Sequence, residues 1–281
     1  MRSLTARLFG GLELRHGSSP PFVFPTRRSR SVFAFLALHK GRFFARDYLS
    51  GVIWERSSEE SARKGLRTEL WRIRKVLDRT PVDESGVLLC EGASVGIPRS
   101  APLRVDVHAF EGWTRRPVPP QGGRSDTGEG RRLERAARLY RGDFLEGMYD
   151  PWCCEERERL RLEFLSVLER LMVRHQRREH WRRAIARGTQ ILRTDPLREH
   201  VHRALMRCHY AMGNRPASIR QYRECERVLR EELDIGPMDE TRSLLALMEA
   251  GHPLPDSTTP KGMPPVPPAP PPRTPGWRSL R

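Results

Sequence analysis

The chain has 281 residues, a net charge of +16 and 37% hydrophobic residues. That is room for two ordinary domains, and the basic excess points to a polyanionic partner such as nucleic acid or anionic lipid. Five cysteines without a C-x-x-C pair argue against a disulfide framework and a zinc site. No apolar run of about 18 residues could span a membrane, and the charged start is unlike a signal peptide. The expectation is therefore a cytoplasmic protein.

The charge is uneven. Residues 1–110 hold 19 Lys and Arg against 11 Asp and Glu, while residues 111–130 are neutral. Only four of the 51 cations are lysine, a bias that fits GC-rich coding. The arginine count alone therefore overstates any case for phosphate binding.

In residues 4–15, Leu4, Ala6, Leu8, Leu12 and Leu14 alternate, which predicts a strand. A loop at His16–Pro20 precedes a second short strand at 22–24. Residues 29–41 then read as a helix with Val32, Phe33, Leu36 and Ala37 inside, and residues 45–54 as another with Leu49, Val52, Ile53 and Trp54 on its apolar side. Ser57 with Glu60 forms a capping box for a third helix. Two apolar runs around Glu91-Gly92-Ala93 predict a hairpin over 87–97, and the alternation in Leu103–Phe110 predicts a closing strand.

Pro, Gly and polar residues take over after Arg115, so 111–130 is read as a flexible linker between a first domain, 1–110, and a second, 131–251. The second is helical throughout. Leu171, Met172 and His175 recur 34 residues later as Leu205, Met206 and His209, and Ile185 recurs as Ile219. That is the period of tetratricopeptide helix pairs. Asp195 and Pro196 are expected as an N-cap and first helical residue. Residues 252–281 are too rich in proline for helix or core and are read as a disordered, partly polyproline-II tail.

The third helix concentrates charge. Over Ser61–Leu77 it carries six cations, Arg63, Lys64, Arg67, Arg72, Arg74 and Lys75, against Glu69. At about 100° per residue, Ala62, Leu66, Leu70, Ile73 and Leu77 fall on one face, at spacings of 4, 4, 3 and 4. Lys64, Thr68, Trp71 and Lys75 lie opposite. Arg67 and Arg72 flank them, with Arg63 and Arg74 nearer the core boundary. A merely solvated helix would mix signs and gain from Glu–Lys pairs. A helix of this kind fits the DNA major groove, with phosphates taking Arg and Lys and the indole contacting sugar or a thymine methyl. Gly65 interrupts the helix at a cost of about 1 kcal/mol relative to Ala. Close backbone approach to DNA and weakened binding are both open as its consequence.

Residues Leu70–Leu77 resemble the L-x-R-L-R-K-x-L pattern of the recognition helix in OmpR/PhoB-type winged-helix domains. Leu8–Leu14, Thr26–Gly41, Val52–Trp54 and Val105–Phe110 are similar to the N-terminal domain of a narrower group, the Streptomyces antibiotic regulatory protein (SARP) and AfsR-like activators. Tyr140–Gly147, Trp152–Leu160, Asp195–Glu199, Ala204–Met206 and Glu231–Pro237 resemble that family's bacterial transcriptional activation domain. The resemblance implies an α+β winged helix-turn-helix domain followed by an all-α tetratricopeptide-like repeat domain. It also implies an activator that binds direct repeats in double-stranded promoter DNA and contacts RNA polymerase holoenzyme, in the cytoplasm at the nucleoid, with a homodimer on DNA left open. Its wing would be residues 87–97, which here carry no Lys or Arg, and Ala45 stands where the family has a Ser cap.

No P-loop G-x-x-x-x-G-K-[ST] pattern occurs, so no nucleotide switch is expected, and no receiver domain is expected ahead of the winged helix. No nucleophile elbow, H-E-x-x-H or spaced carboxylate pair supports an enzyme, and no cofactor or metal is implied. His200 and His202 diverge on a helix and make a poor metal pair. Of Cys153 and Cys154, one is expected buried and one half-exposed. The rival reading is an interaction or ligand-sensing scaffold built on the helical repeat, with DNA binding secondary.

Overall fold

A computed structural model describes residues 3–81, 86–115 and 125–254. They form two compact units, 1–162 and 163–281, with helix α6 running through the boundary. The first unit reaches well past residue 110. No described helix is long and apolar enough to cross a membrane.

The first unit opens with β1 (Leu4–Arg7) and β2 (Glu13–His16). The alternation expected as one strand folds back instead, because Gly10 adopts a φ of +84°, a turn conformation that favours glycine. β2 pairs antiparallel with β1, Leu4 opposite His16. β1 also pairs parallel with β6 (Leu103–Val105), giving the order β2-β1-β6. Residues 22–24 form no strand. Phe22 makes only a bridge to Leu14, and Val23 is exposed.

α1 (Arg27–Leu38) is capped by Thr26, whose hydroxyl accepts the Ser29 N–H at 2.9 Å. Every residue from Ser31 to Leu38 is buried, so α1 is the central helix of the unit. β3 (Phe43–Ala45) leads into α2 (Arg46–Ile53), and α3 spans Glu59–Leu77. The N-cap of α3 is Ser58, not Ser57. Its hydroxyl accepts the Ser61 N–H at 3.4 Å, so the cap falls one residue later than expected and is a single bond rather than a reciprocal box with Glu60. β4 (Leu89–Glu91) and β5 (Ser94–Gly96) form the predicted hairpin around Gly92-Ala93, and β3 joins it in the order β3-β5-β4.

The strand expected over 103–110 stops at Val105. Asp106 starts α4 (Asp106–Thr114), and its carboxylate accepts the N–H groups of Leu8 at 2.9 Å, Phe9 at 3.1 Å and Val107 at 2.8 Å. Val107 continues the alternation of Leu103 and Val105, but it shares a face with Phe110 only in a helix, and both are buried. The stretch read as a linker is thus helical at both ends, since α5 (Ser125–Leu139) begins inside it; residues 116–124 lie outside the described residues. So do 255–281, most of the expected tail.

The segment after α5 belongs to the same core. The Gly10 N–H donates to Asp143 O, and Leu145 N–H to Leu8 O, both at 2.8 Å. Trp152, at the start of α6 (Pro151–Arg177), lies edge-on to Phe35 at 5.2 Å. Asp150 accepts from Arg28 at 3.1 Å and from Ser31 at 3.3 Å.

The second unit contains the rest of α6, then α7 (Trp181–Thr194), α8 (Glu199–Ala211), α9 (Arg215–Leu233) and α10 (Asp239–Glu249). The apolar residues repeated at 34 occupy matched places, whereas His175 is buried and His209 only half-buried. Leu171 and Met172 on α6, and Leu205 and Met206 on α8, are all buried, and Ile185 and Ile219 are half-buried. α7 and α8 approach closely at Gly188, where a Cβ would fall 2.5 Å from Leu205. Asp195 ends α7 rather than opening α8. The turn at Pro196-Leu197 delays the helix to Glu199, and Asp195 accepts from Arg198 at 2.8 Å. The buried Glu199 carboxylate accepts Met238 N–H at 2.8 Å and the Thr241 hydroxyl, fixing the start of α10.

Candidate nucleic-acid interface

α3 is held by the five apolar residues expected, all buried, together with Val76 and Glu69. Its opposite face is open. Arg63, Lys64, Arg67, Thr68, Arg74 and Lys75 are exposed, Arg72 is half-buried, and Trp71 is 58% exposed. An indole this open gains little from solvent and is suited to a partner surface.

The cations divide by their partners. Arg63 pairs with Asp47 of α2 at 2.6 Å and with Glu59 at 3.6 Å. Lys75 pairs with Asp78 at 3.3 Å. Arg72 pairs at 2.6 Å with Glu69, which is buried and also accepts the Thr26 hydroxyl at 2.7 Å. Glu69 therefore ties α3 to the start of α1 rather than screening the surface. Lys64, Arg67 and Arg74 have no ion-pair partner among the described residues. The exposed pairs of Arg63 and Lys75 contribute little, about 0–1 kcal/mol each, so an incoming phosphate can displace their carboxylates. The Thr68 hydroxyl donates to Lys64 O at 3.1 Å and is bound to its own helix.

Gly65 does not face outward. A Cβ there would lie 3.0 Å from two ring carbons of Trp54 and 3.1 Å from its ring nitrogen. The glycine lets α2 and α3 meet across that indole, over which the Arg28 guanidinium sits at 5.5 Å.

Arg46, the first residue of α2, was not legible as a candidate. It is exposed, and its N–H donates to Ala93 O at 2.9 Å, which sets a cation beside the hairpin turn that has none of its own. Only the pairing of β3 with β5 brings these residues together, and nothing local in sequence signals it.

The other reactive residues have structural work. Cys153 is buried, which pushes its thiol well above the usual range, and Cys154 is exposed. His202 is buried between Pro196 O at 3.0 Å and Gln221 at 2.7 Å, while His200 meets Glu169 at 3.1 Å. Among the described residues no three His, Cys, Asp or Glu side chains are grouped to hold a metal.

Residues 105–247, about half of the chain, match the bacterial transcriptional activator domain family. The chain is 25% identical over 210 residues to the regulatory protein AfsR of Streptomyces coelicolor, covering 75% of this chain and 20% of AfsR. It is 24% identical over 256 residues to the transcriptional regulatory protein MoaR1 of Mycobacterium tuberculosis, covering 84% of this chain and 76% of MoaR1. It therefore spans about a fifth of the length of AfsR. Its fold is similar to that of Mycobacterium tuberculosis EmbR in complex with a low affinity phosphopeptide, with a TM-score of 0.71 and 21% identity over 90% of this chain and 67% of that one. On the activator-domain match, the chain belongs to the bacterial transcriptional activator domain family.

Proposed function

We propose that the chain is a sequence-specific, DNA-binding transcriptional activator that acts in the cytoplasm. α1, α2 and α3 with the β3-β5-β4 sheet act as a winged helix-turn-helix, and α3 enters the major groove of promoter direct repeats. The observation that carries this reading is the outward face of α3, where Lys64, Arg67 and Arg74 stand without ion-pair partners around an exposed Trp71. Arg63 and Lys75 reach phosphates by exchanging their carboxylates. Arg72 chiefly positions the helix through Glu69. The hairpin β4-β5 is the wing, and Arg46 supplies the charge beside its turn.

The helical unit is the part that contacts RNA polymerase. Leu233, Ile235 and Met238 are all about half exposed within six residues of chain at the α9–α10 turn. Exposed apolar residues this close suit a protein partner.

The test is duplex binding by Lys64→Ala and Arg67→Ala across a salt series. Loss of a base contact should cost about 1–3 kcal/mol and relax specificity at one position. Loss of a phosphate contact should weaken all sequences alike and flatten the salt slope. Surface truncation should move stability by less than about 0.5 kcal/mol. Unchanged affinity in both variants at low and high salt would sink the assignment.

A further inference from the structure

A second basic feature lies in the first unit. A broad, open depression of about 780 Å³ lies between the end of α1, the β3-β5 edge and α4, lined in part by Lys40, Arg42, Arg99, His108, Glu111 and Arg115. Its charges are not equivalent. The Lys40 ammonium donates to Ala101 O at 2.7 Å and Leu103 O at 2.6 Å, and burial pushes it below the usual lysine range. It is a structural cross-link. The His108 Nε2 donates to Leu38 O at 2.6 Å, so that nitrogen is also engaged. Glu111 is held twice, by Arg115 and by Arg159, each at 2.8 Å, and so cannot neutralise the rest.

Arg42 and Arg99 remain. Both are exposed and neither has an ion-pair partner among the described residues. Arg42 lies over the Phe44 ring at 5.3 Å, which restrains it. Gly41, at a φ of +94°, brings its backbone against Arg99, whose Cβ would be 3.4 Å from a side chain at that position. Two unpaired guanidinium forks therefore stand in this depression, with Arg115 as a third that can exchange its partner. Planar forks match phosphate oxygens two at a time, which a surface lined with lysines could not do.

The location separates this depression from the proposed DNA face. β3 runs from Phe43, opposite Gly96, to Ala45, opposite Ser94. Arg42 is therefore three residues, about 10 Å, from Ala45 and the hairpin turn. Two unpaired guanidinium groups on so short a stretch of surface suit a small dianionic group that both can reach.

We propose that this depression binds a small phosphorylated metabolite that presents a pyrophosphate group, held by Arg42, Arg99 and Arg115. The ligand would make the first unit responsive to a small molecule without any P-loop.

The test is calorimetric titration of the full chain with inorganic pyrophosphate, with inorganic phosphate and chloride as controls at matched ionic strength. One saturable site per chain is expected for pyrophosphate and weaker binding for phosphate. Arg42→Ala and Arg99→Ala should each weaken it about tenfold. Arg99→Lys should also weaken it, because an ammonium keeps the charge but lacks the fork. Lys64→Ala with Arg67→Ala should leave it unchanged. Circular dichroism of each variant separates lost binding from lost fold. No saturable site, or equal binding by the Arg42→Ala/Arg99→Ala double variant, overturns the proposal. Loss of binding in the Lys64→Ala/Arg67→Ala variant would put the pyrophosphate on α3 and overturn it too. A third adverse result is no pyrophosphate binding together with a flattened DNA salt slope in Arg42→Ala/Arg99→Ala. The depression would then follow a duplex backbone.

Discussion

Gly65 shows how a residue can be misjudged from its helix alone. By propensity, Gly65→Ala should gain about 1 kcal/mol. The new methyl would meet the Trp54 ring at 3.0 Å, tighter than side chains normally pack, so the indole must move and the gain is offset. In a Trp54→Ala background the same change should recover the gain. A double-mutant cycle followed by thermal unfolding reads this coupling directly, and additive effects would mean that the indole yields without cost. Glu169 offers a second test in the helical unit. Burial raises its carboxyl, but the His200 hydrogen bond and the Arg198 charge together hold it below its ordinary value of 4.5. A carboxylate depressed by folding stabilises above its unfolded pKa, and that contribution is lost as pH falls through the folded one. Acidification below about pH 4.5 should therefore weaken the helical unit, and Glu169→Gln should flatten that limb of a stability–pH curve. An unchanged slope would mean that the cluster of Glu169, Arg198 and His200 does not discriminate between folded and unfolded chains.

Elements differed in how far their sequences announced them. α3 was legible because five apolar residues at helical spacing leave no second solution, and all five are buried. The hairpin β4-β5 was legible from Gly92 between two apolar runs. Leu103–Phe110 was not, because Leu103, Val105 and Val107 are spaced as a strand while Val107 and Phe110 are spaced as a helix, and the choice was made by Asp106, whose carboxylate takes backbone donors from residues nearly 100 positions away. The candidate site divides in the same way. The direction of Lys64, Arg67 and Trp71 follows from one helix, whereas the pairing of Arg63 with Asp47 and the position of Arg46 need the tertiary fold. α2 carries a correctable defect. Its N-cap, Ala45, makes no side-chain hydrogen bond, and Ala93 O receives only the Arg46 N–H. Ala45→Ser should supply an acceptor for the next free N–H groups and stabilise by about 0.5–1 kcal/mol. For a unit of this size that is a rise of roughly 2–4 °C in Tm for each kcal/mol, measurable by differential scanning fluorimetry. A fall in Tm would mean that the extended backbone at Ala45 cannot turn a serine hydroxyl towards the helix.

At the scale of the molecule, the question is where the first unit ends. Periodicity and composition put the boundary at residue 110, where the apolar pattern fades. The packing puts it later. Phe9 lies 5.3 Å from Phe110 and 4.8 Å from Tyr140, and Phe144 and Trp152 close the same aromatic core. Phe144 is fully buried, Trp152 nearly so, and the Trp152 indole N–H donates to the buried Ser31 of α1 at 3.3 Å. A fragment of residues 1–110 would lose both rings and leave α1 and β1 exposed along one side. Removing one large aromatic side chain from a core costs about 3–5 kcal/mol. The two together approach the roughly 5–15 kcal/mol that holds a whole domain folded. The fragment 1–110 should therefore melt without a cooperative transition and bind duplex DNA poorly. The fragment 1–162, which keeps Phe144, Asp150 and Trp152, should melt cooperatively and bind through α3. Circular dichroism melts of the two, followed by DNA titration, decide the matter. If 1–110 unfolds cooperatively at the same temperature as 1–162, the segment after α5 is a passenger on the domain. If only 1–162 folds, the start of the activator-domain match is a structural part of the unit proposed to bind DNA. A substitution at Trp152 would then weaken DNA binding without touching DNA.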